Sequence, residues 1–377
     1  MNSEALRLIE ELKTTASHPA ASVKKAMAET GKKAVGCFPI YAPEELIYAA
    51  GALPVGMWGG PNTGTRASQY LQSFCCSLMK ANTEQVLRGD YDMLSAVILT
   101  TYCDTLKCIT ENWKTAVPER NPIPMVYPQN RKTEAGKIFF IEELTRVQGE
   151  LERVLQTEIT ESKLEDAMEV YEDYRAAMRD FTKTAVSFPQ TFDAVSRHLV
   201  IKAGYFQDKK QYTETIRHLL SLLSREEPEP RAGKRIVLTG LLAEPPELLE
   251  LFTENGLQIA ADDLAQESRQ FRVSAPEEGT CFSRMAERLA RQDGCAFLYD
   301  SQKGRGEKLV RMVQEADADA VIYCQLKFCD PDEFDYPLVK DAMEQAGIPM
   351  LQLEFEQQME SAEQLRTRVQ GFAELLG

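Results

Sequence analysis

Short, almost continuously apolar runs alternate with helix-like segments in this chain, and that alternation narrows its fold class more than any other feature. The run KKAVGCF stops at Pro39 and is followed by a helix-like Pro43–Ala50 with a stop at Gly51. The segments 53–58, 93–100 and 123–127 are β-rich and apolar on both faces, the pattern of strands covered on both sides in a parallel sheet. After a long interruption the alternation resumes with RIVLTG, a helix over 247–255 ending at Gly256, LQIAA, CAFLY, DAVIYC and PMLQLEF.

The interruption is itself regular. Over 133–224 the sequence is rich in Glu, Leu, Lys and Arg, with apolar positions three and four apart, such as Leu164, Ala167, Met168, Tyr171 and Tyr174. It ends in REEPEPRAGK, a charged stretch with two prolines and a glycine that reads as a linker. The fold class expected is therefore α/β, with two Rossmann-like parallel-sheet domains plus a helical region. The boundaries expected are an N-terminal α/β domain at 1–132, a helical region and linker at 133–230, and a C-terminal α/β domain at 231–377.

Charge removes several function classes. A net charge of -15 opposes the phosphate contacts of nucleic-acid binding, and no Lys/Arg block compensates for it. No run approaches the roughly 18 apolar residues of a membrane span, and MNSEALRLIEELK reads as an amphipathic helix rather than a signal peptide. A cytoplasmic protein binding neither nucleic acid nor membrane is expected. The three histidines, His18, His198 and His218, lack a second ligand at three or four residues, so neither a zinc hydrolase nor a Ser-His-Asp enzyme is easily built.

Nine cysteines remain to be explained, at 37, 75, 76, 103, 108, 281, 295, 324 and 329. Their odd number and wide spacing do not suit a secreted disulfide scaffold, which leaves metal ligation, catalysis or core packing. Ligands of open parallel sheets collect outside the carboxyl ends of the strands. Cys103 directly follows an apolar strand, Cys324 closes another with Cys329 in the loop beyond, and the pair Cys75–Cys76 precedes a helix-like run. Cys37, Cys281 and Cys295 are expected as core fillers and Cys108 as structural. The spacing leaves a structural zinc open as an alternative.

The segments GCFPIYAPEELIYAAGALPVGMWG, CCSLMK, GDYDMLSAVILTTYCDTLKC, KFCDPDEFDYP and GIPMLQLEFE resemble the 2-hydroxyacyl-CoA dehydratase family, and the resemblance covers nearly the whole chain. It is strongest to the beta subunit of the family's two-subunit component. The resemblance implies a [4Fe-4S] cluster held by Cys76, Cys103 and Cys329, with Cys75 and Cys324 as competing neighbours. It implies a homologous alpha subunit, an ATP-dependent iron-sulfur activator protein and an acyl-CoA substrate as partners. FMN or riboflavin is a further cofactor of part of the family, and no motif places it here. The reaction implied is loss of water from an (R)-2-hydroxyacyl-CoA, (R)-2-hydroxyglutaryl-CoA to glutaconyl-CoA being expected, through a ketyl radical made by one-electron activation. A benzoyl-CoA reductase-type subunit is the related alternative. Lys80, Lys107 and Lys327 flank the cysteine motifs and are candidates for the CoA phosphates.

Overall fold

The computed structural model describes residues 1–377 except 39, 62, 63, 232 and 360, so the expected strand stop at Pro39 lies outside the described residues. So do single positions of the glycine-rich stretch 56–64 and of the linker 225–234. Eight strands form: β1 (Lys33–Phe38), β2 (Ala52–Gly56), β3 (Leu94–Thr100), β4 (Pro122–Met125), β5 (Lys234–Gly240), β6 (Leu257–Leu264), β7 (Ala320–Leu326) and β8 (Met350–Phe355). They make two four-stranded sheets ordered β2-β1-β3-β4 and β6-β5-β7-β8, with all pairings parallel. The two sheets thus repeat one topology. In each, the chain moves to one side of the first strand and then returns to the other, which opens a crevice at the carboxyl ends of the first and third strands.

Burial follows from this order. The inner strands β1, β3, β5 and β7 are buried almost throughout, whereas the edge strands β4 and β8 alternate or open to solvent. Gly240 closes β5 at φ +141, where a Cβ would run into the Cys324 carbonyl of β7, so only glycine fits there.

CAFLY, expected as a strand, is an irregular turn instead. β5 pairs with β7 directly, leaving no ladder position between them, and Gly294 at φ +68 turns the chain immediately before Cys295. The run is apolar because Cys295 and Leu298 bury in the core, not because it joins a sheet.

Helices fill the space between and around the sheets. The helix Glu134–Leu155 lays Phe140, Leu144, Val147 and Leu151 into a core cluster shared by residues of both sheets. A second cluster is helical, and into it the N-terminal helix Ser3–Ser17 places Ala5, Leu8, Ile9, Leu12 and Ala16 beside Met178, Phe181, Val200 and Leu219. Arg197 and His198, on the helix Ala194–Ala203, carry this helical part onto the second sheet. Arg197 bridges Glu267 at 2.8 Å and Asp262, and His198 lies between Glu267 Oε1 at 2.8 Å and Glu244 Oε1 at 3.0 Å, all of them buried. Among the described residues no helix is long and apolar enough to cross a membrane.

Candidate metal centre at three helix N-termini

Cys103 and Cys329 occupy equivalent places in the two sheets. β3 ends at Thr100 and β7 at Leu326, each cysteine follows three residues later, and each is the N-cap of the next helix, Asp104–Ala116 and Asp330–Ala346. Cys76 caps the helix Ser77–Arg88. That helix is tied to the second sheet by Gln357, just beyond β8, whose backbone N–H donates to Ser77 Oγ at 3.0 Å and whose Nε2 donates to the Trp58 carbonyl at 2.7 Å.

The Cys103 thiol adds to the rise of Cys76, and both add to that of Cys329. Burial pushes Cys76 up to about 12, with Cys103 and Cys75 adding to the rise while the backbone N–H groups of Met79 and Leu78 oppose it. Cys329 is driven well above the ordinary thiol value by burial, then by Asp332 and by the Cys76 and Cys103 thiols. Cys103, the least buried of the three, is raised by burial, and the N–H groups of Leu106 and Thr105 act against it. Three helices of 12, 13 and 17 residues therefore present their free N–H groups and positive dipole ends to one group of thiols. Such an end stabilises anions, so the arrangement favours thiolates once a cation displaces their protons.

The neighbouring cysteines are placed differently. Cys324 stands inside the β7 ladder, opposite Gly240 and Leu353, and is fully buried; its thiol is raised by burial, Glu267 and Asp332, with no contribution from the other three. Cys75 donates to Gln72 Oε1 at 3.8 Å. Cys37, Cys281 and Cys295 are buried as expected, while Cys108 is exposed on its helix rather than packed. Cys295 is the most elaborately held of these, with Tyr41 OH at 3.2 Å and Arg269 Nη1 at 3.3 Å from its sulfur.

Of the lysines, Lys80 lines a cleft of about 390 Å³ together with Gln72, Ser73 and Glu84. Lys80 and Lys327 also flank the Phe328 ring, at 5.6 and 5.2 Å from its centroid, whereas Lys107 reaches Asp104 at 3.2 Å. Phe328 adopts φ +63, and its N–H donates to Glu333 Oε1 at 3.0 Å, which sets the turn that delivers Cys329. Sequence reasoning passed over the buried residues behind this turn, Arg305, Tyr323 and Asp332, for which the only sequence signal is the acidic run after Cys329. Among the described residues, the set of three donors converging within 4.8 Å is a different one, Glu161, Glu165 and Cys281, in which Arg284 already occupies Glu165 at 2.7 Å.

The family model described as 2-hydroxyglutaryl-CoA dehydratase, D-component, matches residues 39–376. The lactoyl-CoA dehydratase subunit beta of Anaerotignum propionicum is 42% identical over 98% of this chain and 98% of its own. The (R)-phenyllactyl-CoA dehydratase beta subunit of Clostridium sporogenes is 41% identical over 99% of this chain and 100% of its own. The (R)-2-hydroxyglutaryl-CoA dehydratase, subunit beta, of Acidaminococcus fermentans is 36% identical over 98% and 99%.

Proposed function

This chain belongs to the 2-hydroxyglutaryl-CoA dehydratase D-component family, and we propose that it is a beta subunit which, with a homologous alpha subunit, removes water from an (R)-2-hydroxyacyl-CoA using a [4Fe-4S] cluster on Cys76, Cys103 and Cys329. The hydro-lyase activity belongs to the two-subunit component rather than to one chain. What supports the cluster assignment is that all three cysteines are N-caps of helices and that the Cys76 and Cys103 thiols both act on that of Cys329.

The donor set suits such a group. A tetrahedral zinc with Zn–S distances near 2.3 Å would bring its thiolates to about 3.8 Å from one another. A [4Fe-4S] cluster is wider and holds its cysteine ligands farther apart, each on its own iron. When bound there, a cluster with three protein thiolates supplies one-electron chemistry and leaves one iron open to a further ligand. The chain's own residues would hold it against the helix dipoles, keep water from Cys76 and Cys329, and leave the Cys103 side partly open. The ketyl-radical route, the ATP-dependent activator and a flavin in the complex belong to the same proposal, as does a cytoplasmic location. The division at 1–132, 133–230 and 231–377 is proposed with it, although the helix Ser3–Ser17 packs on the helical part.

The acyl group is the open choice within the proposal. The phenyllactyl and lactoyl names stand on relatives at 41% and 42% identity, against 36% for the 2-hydroxyglutaryl one, which favours an acyl chain without a second carboxylate. Anaerobic co-expression with the partner subunit, followed by turnover of (R)-phenyllactyl-, (R)-lactoyl- and (R)-2-hydroxyglutaryl-CoA with activator and ATP, tests this. Dehydration of the first or second is expected; turnover of the glutaryl thioester alone restores (R)-2-hydroxyglutaryl-CoA, and turnover of none overturns the proposal.

A further inference from the structure

On the first turn of the helix Asp330–Ala346 the Asp332 side chain is fully buried, and its backbone N–H donates to the Cys329 carbonyl at 3.0 Å. Carboxylate Oδ1 lies 2.9 Å from Arg305 Nη1 and 3.2 Å from Tyr323 OH. The other oxygen, Oδ2, is buried without a hydrogen-bond partner. Arg305 does not depend on this carboxylate alone: Asp335 Oδ2 lies at 2.9 Å, Thr239 Oγ1 at 2.9 Å and Asp263 Oδ2 at 3.6 Å. Asp263 is in turn held by Arg269 and Arg272, so three arginines and three aspartates balance one another behind the cysteine.

An unpartnered buried carboxylate oxygen is costly, and holding Arg305 does not explain it. What distinguishes Asp332 from the rest of the network is its place one turn from Cys329. The potential of an iron-sulfur cluster is set by net charge, by hydrogen bonds to its sulfurs and by solvent exposure. Three helix N-termini favour the more reduced, more negative state and so raise that potential. A fixed carboxylate beside one of the ligating sulfurs opposes them.

We propose that Asp332 is a positioning residue of the three-cysteine centre, its buried, partly unpaired carboxylate lowering the reduction potential of the cluster held there. The inference rests on the cluster assignment above. A low potential suits a centre whose electron must pass to a thioester carbonyl, an acceptor that is hard to reduce.

The test compares Asp332→Asn with Asp335→Asn in the complex purified anaerobically with its partner subunit, by iron and sulfide analysis and an EPR-monitored redox titration. Both changes take a carboxylate from Arg305, but only the first takes one from beside Cys329. Asp332→Asn is expected to keep its iron and to move one midpoint potential positive, with Asp335→Asn titrating like wild type. Should the asparagine variant fail to accumulate, Tyr323→Phe removes the hydroxyl shared between this carboxylate at 3.2 Å and the Asp332 carbonyl at 2.9 Å, and is expected to move the potential negative. Iron retained with an unmoved potential, an equal shift in Asp335→Asn, or a Tyr323→Phe potential that does not fall overturns this inference alone. Absence of iron from the wild-type subunit overturns the cluster assignment and this inference with it.

Discussion

Arg197→Met removes the cation on which the helical part and the second sheet meet. Arg197 is 4% exposed and bridges Asp262 on β6 and Glu267 beyond it, both buried. Breaking one partner of a buried ion pair costs about 3–5 kcal/mol, because the remaining charge is left without compensation. Here the survivors are not wholly abandoned: Glu267 keeps His198 at 2.8 Å, and Asp262 Oδ1 keeps the N–H groups of Leu264 and Ser268 at 3.1 Å each. The low end, about 3 kcal/mol, therefore applies. At about 2 °C per kcal/mol for a chain of this size, the melting temperature should fall by about 6 °C. If the penalty comes from orphaned carboxylates, adding Asp262→Asn and Glu267→Gln to Arg197→Met should recover part of it. Calorimetry of the three proteins at neutral pH decides. A single-variant loss under about 1 kcal/mol, a magnitude proper to exposed pairs, or a triple variant no more stable than the single, would refute the reasoning.

Three further outcomes follow from the same structure. Cys324→Ala removes one buried sulfur from the β7 ladder and should cost about 1–2 kcal/mol while leaving metal content at the wild-type level; loss of iron would make Cys324 a ligand. Gly240→Ala should cost roughly 2–4 kcal/mol in denaturant melts, because its φ and the Cys324 carbonyl both exclude a side chain, and a neutral result would contradict that backbone geometry. For His198, burial lowers the imidazole, but Glu244 and Glu267 outweigh it and raise the group above its ordinary value. Its folded value being raised, its contribution is complete below the unfolded pKa of about 6.5 and is lost as pH rises through the folded one. Glu244 has the opposite sign: against its burial, Lys202 and His198 hold it at about 2, so its share is present above its ordinary value and lost as pH falls toward 2. The stability gap between wild type and His198→Asn should therefore shrink on the alkaline side, and a gap that does not change with pH would count against the assignment.

The sheets were legible because strands buried on both faces must be apolar at every position, as Val97, Ile98 and Leu99 are on β3. CAFLY has the same composition without being a strand, since burial against the core and burial in a ladder demand the same side chains. The meeting of Cys76 with Cys329 spans most of the chain, and no local spacing encodes it; the family resemblance supplied it. The rank of Cys329 over Cys324 needed geometry as well. Both lie near the same strand end, and only the ladder shows Cys324 locked between Gly240 and Leu353 while Cys329 opens a helix. The network of Arg305, Tyr323 and Asp332 was invisible for a further reason, because charged residues in sequence read as solvated until a fold buries them.

The central claim is that Cys76, Cys103 and Cys329 together hold one cluster. Iron, acid-labile sulfide and zinc should be measured per complex after anaerobic purification with the partner subunit, for wild type and for each cysteine changed to alanine. The account predicts that each change removes about four irons and their sulfide, the content of one [4Fe-4S] cluster, while Cys75→Ala removes none. Zinc in place of iron, or iron indifferent to the three changes, would contradict it.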